Sequence, residues 1–441
     1  MSELTYSTRN VLKNSALSVV YKGAGMLLSL ISAPLILECL GKEKYGVWTS
    51  LLSIISWIYY LDLGIGNGLR IRLSEALADK KKKAAEKYIT VSYVLLSIIS
   101  VVTLLIVFLV LQFVDLRSAL KISGNITENV NTIFFVALAF VCINFVLSLV
   151  NNIFYAAQNS SAVSALTVIG QLFFVLGLWL YSLNGSKLIL LVACVEGLSQ
   201  LLKNIVGSVW AYAKYPDCRL KIEKPDFRYS KGIMSFGIQS FISSIAALVL
   251  NSTDNLIIIR FLGATSVTNY DFCYRYFSMI STVFAVIVVP LQSAYTMAYT
   301  KKDIDWITKN LKRALLALLV FSVGTFIACF VFRPFTIIWL RKELYFSTGL
   351  IAYTAMYCIL IMISHTFSTF TNGIGRIRET TVAAIVQALI NIPISILLAV
   401  NCQMGVEGVI LGSVASAAVS AIVGAVVTYS VVHKLRMKDE V

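Results

Sequence analysis

The chain has 441 residues, of which 58% are hydrophobic and 13% are charged, and its formal net charge at pH 7 is +15. Soluble domains carry about 25% charged residues, so this composition excludes an ordinary water-soluble protein. It predicts an integral membrane protein, in which clustered positive charge reports orientation in the membrane and not a nucleic-acid partner.

Twelve apolar stretches fill almost the whole chain, and each is long enough to cross a bilayer. About 20 mostly apolar residues span the ~30 Å of hydrocarbon in a typical membrane. In chain order, the predicted spans are 15–37, 45–68, 89–114, 130–156, 161–183, 187–213, 232–259, 266–298, 311–333, 346–372, 379–400 and 404–432. The pattern predicts an all-α polytopic membrane protein with about 12 transmembrane helices.

The distribution of basic residues predicts how these spans are oriented. With the N-terminus in the cytoplasm, 25 of the 37 Lys and Arg residues lie in inner segments, nine in outer loops and three within spans. Cytoplasmic loops of membrane proteins carry such an excess of Lys and Arg. We therefore expect both termini in the cytoplasm and the basic loops against anionic membrane lipids.

A basic, proline-containing linker, residues 214–230, divides the chain near its middle. It separates an N-terminal lobe, 1–213, from a C-terminal lobe, 231–441, and each contains six predicted spans. Leu40-Gly41 closes the first span and Leu262-Gly263 closes the seventh, which suggests an internal repeat. Because six is an even number, both halves begin on the same side of the membrane. We predict two parallel six-helix lobes with a substrate cleft between them and alternating access.

Several ionisable side chains interrupt the predicted spans, among them Lys22, Glu196, Lys203, Asp254, Asp271 and Arg275. A charge at the centre of a membrane helix costs about 2.5–3.5 kcal/mol, so such residues usually face a partner or a wet cavity. Asp271 and Arg275 are four residues apart and can form an internal salt bridge, and Lys22 can extend to the headgroups. The alternative hypothesis is that Lys22, Lys203 and Arg275 line a cationic path for an anionic headgroup.

Cofactor, metal and enzyme chemistry find no support in the sequence. The eight cysteines include no CxxC pair, and the two histidines, His365 and His433, are too far apart for a metal-ligand motif. The glycine-rich segment 62–70 lacks the spacing and the flanking strand of a phosphate-binding loop. The longest outer loop, about 115–129, contains no recognisable combination of a catalytic nucleophile with a general base. We expect no cofactor and no metal.

Two N-terminal motifs resemble those of a known family. Leu40-Gly41-x-x-x-Tyr45-Gly46-x-Trp48 follows the first span, and Leu61-Asp62-x-Gly64-x-Gly66-x-Gly68-Leu69 ends the second. With the twelve spans, these motifs resemble Wzx-type O-antigen and capsule flippases. That family is the polysaccharide transporter branch of the multidrug/oligosaccharidyl-lipid/polysaccharide exporter superfamily.

The resemblance implies a MATE-like fold and a transporter, not an enzyme. The implied cargo is an undecaprenyl-diphosphate-linked oligosaccharide, an O-antigen or capsule repeat unit, moved from the cytoplasmic to the outer leaflet of the bacterial inner membrane. The O-antigen or capsule polymerase machinery is an implied partner. A cationic cavity is also implied, for which Lys22, Lys203 and Arg275 are the candidates by chemistry and depth. Glu196, Asp254 and Asp271 are candidates for coupling to a proton or sodium gradient.

Two other functions stay open at this point. A drug/cation antiporter of the same superfamily would centre on acidic residues, and Asp254 is compatible with it. An O-antigen polymerase or ligase is a membrane enzyme of a different class, but it would need catalytic groups in a large outer loop.

Overall fold

The computed structural model describes residues 8–58, 64–122, 126–183, 185, 187–221, 223–234, 253–288, 291–300, 302–341 and 344–439. Within these ranges the chain consists of helices and connecting loops, with no β-strand. It forms two compact units, Met1–Ile245 and Ala246–Val441.

The first unit is a bundle of helices. Its described helices include α1 (Thr8–Leu40), α2 (Lys42–Ile58), α3 (Ile65–Ala78), α4 (Lys82–Phe113), the short α5 (Leu116–Ala119), α6 (Val130–Leu147), α7 (Val150–Ala156), α8 (Ser160–Ser182) and α9 (Ile189–Lys214). Helix α1 packs along α8, and α9 packs against both α6 and α8.

The second unit is also helical. Its described helices are α10 (253–262), α11 (Ala264–Val288), α12 (Leu291–Thr300), α13 (Ile304–Leu340), α14 (Thr348–Gly373), α15 (Ile377–Ile396) and α16 (Val406–Asp439). A π-helical turn, Leu397–Asn401, extends α15. Helices α14 and α15 both pack against α16, and α11 packs against α14.

Ten helical segments of the described chain are long and apolar enough to cross a membrane, with α6 and α7 together forming one of them, and they coincide with ten of the twelve predicted spans. The other two predicted spans, 45–68 and 232–259, include residues 59–63 and 235–252, which lie outside the described residues. Large apolar side chains are exposed along α4 and α13, among them Leu105, Phe113 and Phe330. Lipid hydrocarbon is the natural neighbour of such surfaces, so the protein is a multi-pass membrane protein.

The predicted span 45–68 contains two separate helices. Gly64 precedes α3 with φ of 75°, a left-handed conformation that glycine adopts without a steric penalty. Gly68, one turn into α3, faces Ile233, and a Cβ at Gly68 would lie 2.8 Å from the Ile233 carbonyl carbon. In this motif, Gly64 therefore allows the turn that precedes α3, and Gly68 allows the close contact with Ile233.

The basic linker 214–230 packs against the first unit. Cys218 is buried, and three ion pairs join the linker to the beginning of α4: Lys82–Asp217 at 2.6 Å, Lys221–Glu86 at 2.8 Å and Lys87–Asp226 at 3.3 Å. The Arg228 side chain also pairs with Asp226 at 3.0 Å. The hydrogen bond from Arg228 holds the pKa of Asp226 below its ordinary value of 3.8.

Helices α15 and α16 approach each other closely because two glycines lie at their contact. A Cβ at Gly408 would lie 2.5 Å from the backbone nitrogen of Ala399, and one at Gly412 would lie 2.7 Å from the Cα atom of Ser395. Small residues let membrane helices pack backbone to backbone. This contact places polar side chains of α15 and α16 within hydrogen-bonding distance.

Candidate functional site

A cavity of about 80 Å³ lies within the first unit, between α2, α6 and α9. We call it the Trp48 cavity; its lining includes Trp48, Ile55, Phe140, Asn144, Glu196 and Gln200. Trp48 is 2% exposed, and its Nε1–H group has no hydrogen-bond partner among the described residues. A buried donor without a partner is costly, so this indole N–H group is a polar feature of the lining residues that the fold leaves unsatisfied.

Hydrogen bonds between side chain and backbone fix the wall of the Trp48 cavity. The Asn144 Nδ2 atom donates to the carbonyl oxygens of Phe140 at 2.9 Å and Gly197 at 3.0 Å. Asn204 in turn donates to the Asn144 Oδ1 atom at 3.0 Å. Gly197 has no side chain, and a Cβ there would lie 2.6 Å from the Cβ atom of Phe140. Helices α6 and α9 are thus held in one register at the cavity.

An ion pair fixes the beginnings of α2 and α9, which supply Trp48 and Glu196. The Lys44 ammonium lies 2.7 Å from the Glu128 carboxylate and donates to the carbonyl oxygen of Lys187. The Glu128 carboxylate also accepts from the backbone N–H of Leu190 at 3.3 Å. The Glu128 side chain is only 10% exposed, so this pair is more than a surface contact.

The structure places Lys203 beside the Trp48 cavity but not in its lining. Its aliphatic stem packs against Gly170 of α8, and its Nζ atom donates to the Gln200 Oε1 atom at 2.6 Å. Lys22 is exposed on α1. In the part of the chain that the structure describes, neither lysine forms an ion pair, and no hydrogen bond joins the two.

Arg275 and Asp271 form the predicted salt bridge within α11. The Arg275 Nε atom lies 2.6 Å from the Asp271 Oδ2 atom, and the two side chains are 35% and 9% exposed. The prediction that these residues pair directly is confirmed. The charge of Arg275 is thereby partly neutralised by its neighbour.

Asp254 lies in a buried polar network of the second unit. Its Oδ2 atom accepts from the Tyr270 hydroxyl at 2.6 Å and from the Ser413 hydroxyl at 2.8 Å. The Ser413 oxygen accepts from the Asn391 Nδ2 atom at 3.0 Å. Asp254 is 5% exposed, and its Oδ1 atom has no partner among the described residues. Four helices, α10, α11, α15 and α16, therefore contribute side chains to one polar network around this carboxylate.

The amino-acid sequence alone did not predict the partners of Asp254 or the place of Trp48 in a cavity. One feature of the sequence could have indicated the partners of Asp254: Ser413, Ser416 and Ser420 recur on one face of an otherwise apolar helix. Ser416 accepts from Asn391, and Ser420 donates to Gln387 of α15. No groups of His, Cys, Asp and Glu that could hold a metal ion occur among the described residues.

Solved structures share the fold of this chain. A multidrug-resistance MATE family transporter of the MOP superfamily, in an inward-facing conformation, superposes with a TM-score of 0.77 at 16% sequence identity, covering 95% of this chain and 99% of that chain. A MOP superfamily transporter from Pyrococcus furiosus gives a TM-score of 0.63 at 16% identity, covering 97% and 96%. The fold is therefore that of the MATE-like membrane transporters, which confirms the predicted fold class.

Sequence comparison then gives the family. A family model described as "Polysaccharide biosynthesis protein" matches residues 11–296, and the MatE model matches residues 240–397. This chain belongs to the polysaccharide biosynthesis protein family.

Two curated relatives carry provisional names that refer to O-antigen. One, from Yersinia pseudotuberculosis, is provisionally named an O-antigen export protein; it is 21% identical over 386 residues, 85% of this chain and 86% of the relative. The other, from Salmonella typhi, is provisionally named an O-antigen transporter; it is 25% identical over 273 residues, 60% of each chain.

Proposed function

We propose that this protein moves an undecaprenyl-diphosphate-linked oligosaccharide, an O-antigen or capsule repeat unit, from the cytoplasmic to the outer leaflet of the bacterial inner membrane. The observation that carries the proposal is the match over 85% of this chain to a relative provisionally named for O-antigen export. Membership of the polysaccharide biosynthesis family supports it. The direction rests on cytoplasmic termini, which the distribution of basic residues favours.

The physics of the task requires a protein. Each hydroxyl or amide group transferred unpaired into hydrocarbon costs several kcal/mol, about 4–8 on apolar transfer scales, so a bare oligosaccharide does not cross a bilayer. A polar route through the protein removes that cost, while the polyprenyl tail stays in lipid. An inside-negative potential favours outward movement of the diphosphate by about 2.3 kcal/mol per charge per 100 mV.

Three basic side chains are proposed to attract the diphosphate: Lys22, Lys203 and Arg275. Lys203 is the best supported, because its ammonium donates to a neutral amide and makes no ion pair among the described residues. Lys22 is exposed and likewise makes no ion pair there. Arg275 is the weakest of the three, because Asp271 already shares its charge.

Asp254 is the best supported of the three proposed coupling residues. Its carboxylate is buried, and hydroxyl groups from two other helices donate to one oxygen while the other oxygen has no described partner. A proton or a sodium ion at this carboxylate would change the charge of a site shared by four helices. Asp271 is engaged by Arg275, and Glu196 lines the Trp48 cavity.

Depletion in the host bacterium tests the transport proposal. We expect lipid-linked oligosaccharide to accumulate on the cytoplasmic leaflet and surface glycan to disappear, because the polymerase receives no substrate. Wild-type protein and a Lys83→Gln variant should restore surface glycan, since Lys83 is exposed and lies before the predicted third span. Lys203→Gln should restore it poorly. Normal surface glycan after complete depletion would refute the proposal.

The coupling proposal has its own test in vesicles. Transport by Asp254→Asn should lose its dependence on the imposed proton or sodium gradient, because an amide cannot take up a proton or balance a cation. Asn391→Ser changes a side chain that contacts Ser413 but not the Asp254 carboxylate, so this variant should retain gradient dependence. Wild-type transport that ignores both gradients would refute a coupling role.

One observation favours a second function, export of organic cations. Asp254 is a buried acid within a fold shared with a multidrug transporter. If the protein exports cations, its expression in a drug-sensitive strain should lower ethidium accumulation, and Asp254→Asn should abolish the effect. Under the glycan proposal, expression should leave ethidium accumulation unchanged.

A further inference from the structure

The residues that line the Trp48 cavity include hydrogen-bond donors and an acceptor. Trp48 contributes an N–H group that has no partner among the described residues, and Glu196 contributes a carboxyl group. The Gln200 Oε1 atom is occupied by the Lys203 ammonium, which leaves the N–H groups of that amide as donors. The cavity therefore suits a group that both accepts and donates hydrogen bonds.

This set of groups argues against an ion as the occupant. A metal cation such as Ca²⁺ needs six or more oxygen ligands, and an indole N–H supplies none. A phosphate would lie against Glu196, and no basic side chain is part of the cavity lining within the described chain. A neutral hydroxyl group can use both the donor and the acceptor of the lining. Its oxygen would accept from the Trp48 N–H group, and its hydrogen would be donated to the Glu196 carboxyl group.

The size of the Trp48 cavity limits the occupant further. A cavity of roughly 150 Å³ holds a benzene molecule, and this one measures about 80 Å³. A whole pyranose ring is therefore too large, but one projecting group such as a hydroxymethyl arm fits. Leu52, Ile55 and Ala137 supply apolar wall against which the C–H groups of such an arm can pack.

We propose that the Trp48 cavity is a subsite that receives one hydroxyl-bearing arm of a sugar in the transported glycan. Trp48 and Gln200 donate to the sugar oxygen, and Glu196 accepts from the sugar hydroxyl. The proposal rests on the proposed function for the identity of the cargo. It assigns Glu196 to sugar recognition, in place of the ion coupling for which the sequence made it a candidate.

Three substitutions in the full-length protein test the subsite in liposomes loaded with lipid-linked oligosaccharide extracted from the host. Trp48→Phe keeps the ring and removes the donor, Glu196→Gln removes the charge, and Ala193→Leu fills the cavity without changing a polar group. A neutral hydrogen bond contributes about 0.5–1.5 kcal/mol, so we expect KM to rise about two- to tenfold for Trp48→Phe, with an unchanged maximal rate. Glu196→Gln should raise it about tenfold or more, as expected for a charged acceptor.

Matched controls exist elsewhere in the first unit. Trp57→Phe on α2 and Ala213→Leu on α9 repeat two of the changes at exposed positions, and Glu223→Gln repeats the third in the linker. All three should transport like the wild type. If Ala193→Leu reduces the yield of folded protein, Ala193→Val provides a smaller filling of the same cavity.

A binding measurement separates this inference from the proposed transport function. Free oligosaccharide released from the host lipid carrier is titrated into purified protein, and the fluorescence of Trp48 is read as the difference between wild type and Trp48→Phe. A saturable change that Ala193→Leu abolishes supports the subsite even if the wild type fails to move lipid-linked oligosaccharide. No change, together with normal KM values in all three variants, would mean that the cavity holds only water and would overturn the subsite.

Discussion

The salt bridge within α11 allows the structural and the substrate-binding roles of Arg275 to be separated. Removing one partner of a buried ion pair costs about 3–5 kcal/mol. Arg275 is 35% exposed, and solvent screening reduces that figure, so we expect Arg275→Gln to cost about 2 kcal/mol. For a unit of about 200 residues, 1 kcal/mol corresponds to about 2–4 °C, which predicts a fall of about 4–8 °C in apparent melting temperature.

The double variant Asp271→Asn with Arg275→Gln replaces the ion pair with two amides that can still form a hydrogen bond. Thermal unfolding in detergent should show that it regains most of the lost stability, because no unpaired charge stays buried. Its transport then distinguishes the two roles. If Arg275 serves only as the partner of Asp271, the double variant transports normally. If Arg275 also binds the diphosphate, the double variant is stable but inactive.

Two outcomes would refute this reasoning. A stability of Arg275→Gln equal to that of the wild type would show that the 2.6 Å ion pair contributes nothing. A double variant less stable than either single variant would show that the two charges do not depend on each other. Arg378→Gln, at an exposed position outside the pair, serves as the control for loss of one positive charge.

Three further predictions concern contacts that hold each unit together. Gly412→Ala should cost about 1–3 kcal/mol in thermal unfolding, because its Cβ would lie 2.7 Å from the Cα atom of Ser395 and the helices must separate. Lys44→Met should lower the apparent melting temperature, because it leaves Glu128 unpaired at 10% exposure, and Glu128→Gln in the same chain should restore most of it. The pKa of Asp226 is lowered, so its ion pairs persist above its ordinary pKa of 3.8 and are lost as the pH falls through the lowered value. Limited proteolysis of the linker should therefore stay constant from about pH 5 to 8 and increase only below about pH 4.

Each of these three predictions has a control. Gly324→Ala adds the same methyl group where nothing lies within 4 Å, so it should not destabilise. Lys187→Met removes a nearby lysine side chain whose backbone carbonyl alone contacts Lys44. Linker proteolysis should rise with salt at neutral pH, because the ion pairs are exposed. A cleavage rate independent of both salt and pH would contradict the role given to the ion pairs.

The helices could be predicted from the sequence because a backbone in hydrocarbon has no water to bond with and must form its own hydrogen bonds. Every polar backbone group within a membrane must be satisfied, so a long apolar stretch becomes a helix. Ten predicted spans coincide with described helices for this reason. The pairing of Asp271 with Arg275 was also predictable, since the geometry of one helix brings positions four apart together.

The polar clusters were less predictable because they depend on which helices are neighbours. Asp254 and Ser413 are 159 residues apart, and Trp48 and Glu196 are also distant in sequence, yet each pair belongs to one cluster. Helical periodicity identifies a face but not the partner of that face. Lys203 illustrates the limit, because sequence placed it in a span and only the packing against Gly170 shows where its stem lies.

The contact between Gly197 and Phe140 makes the Trp48 cavity adjustable by a single substitution. Any side chain at position 197 would displace the Phe140 ring, and both residues belong to the lining. The hydrogen bond from Asn144 to the backbone carbonyl of Gly197 crosses the same helix contact, so a side chain at position 197 that separates α6 from α9 would also stretch this bond. One glycine therefore sets the spacing of two helices, the shape of the cavity between them and the geometry of its polar wall.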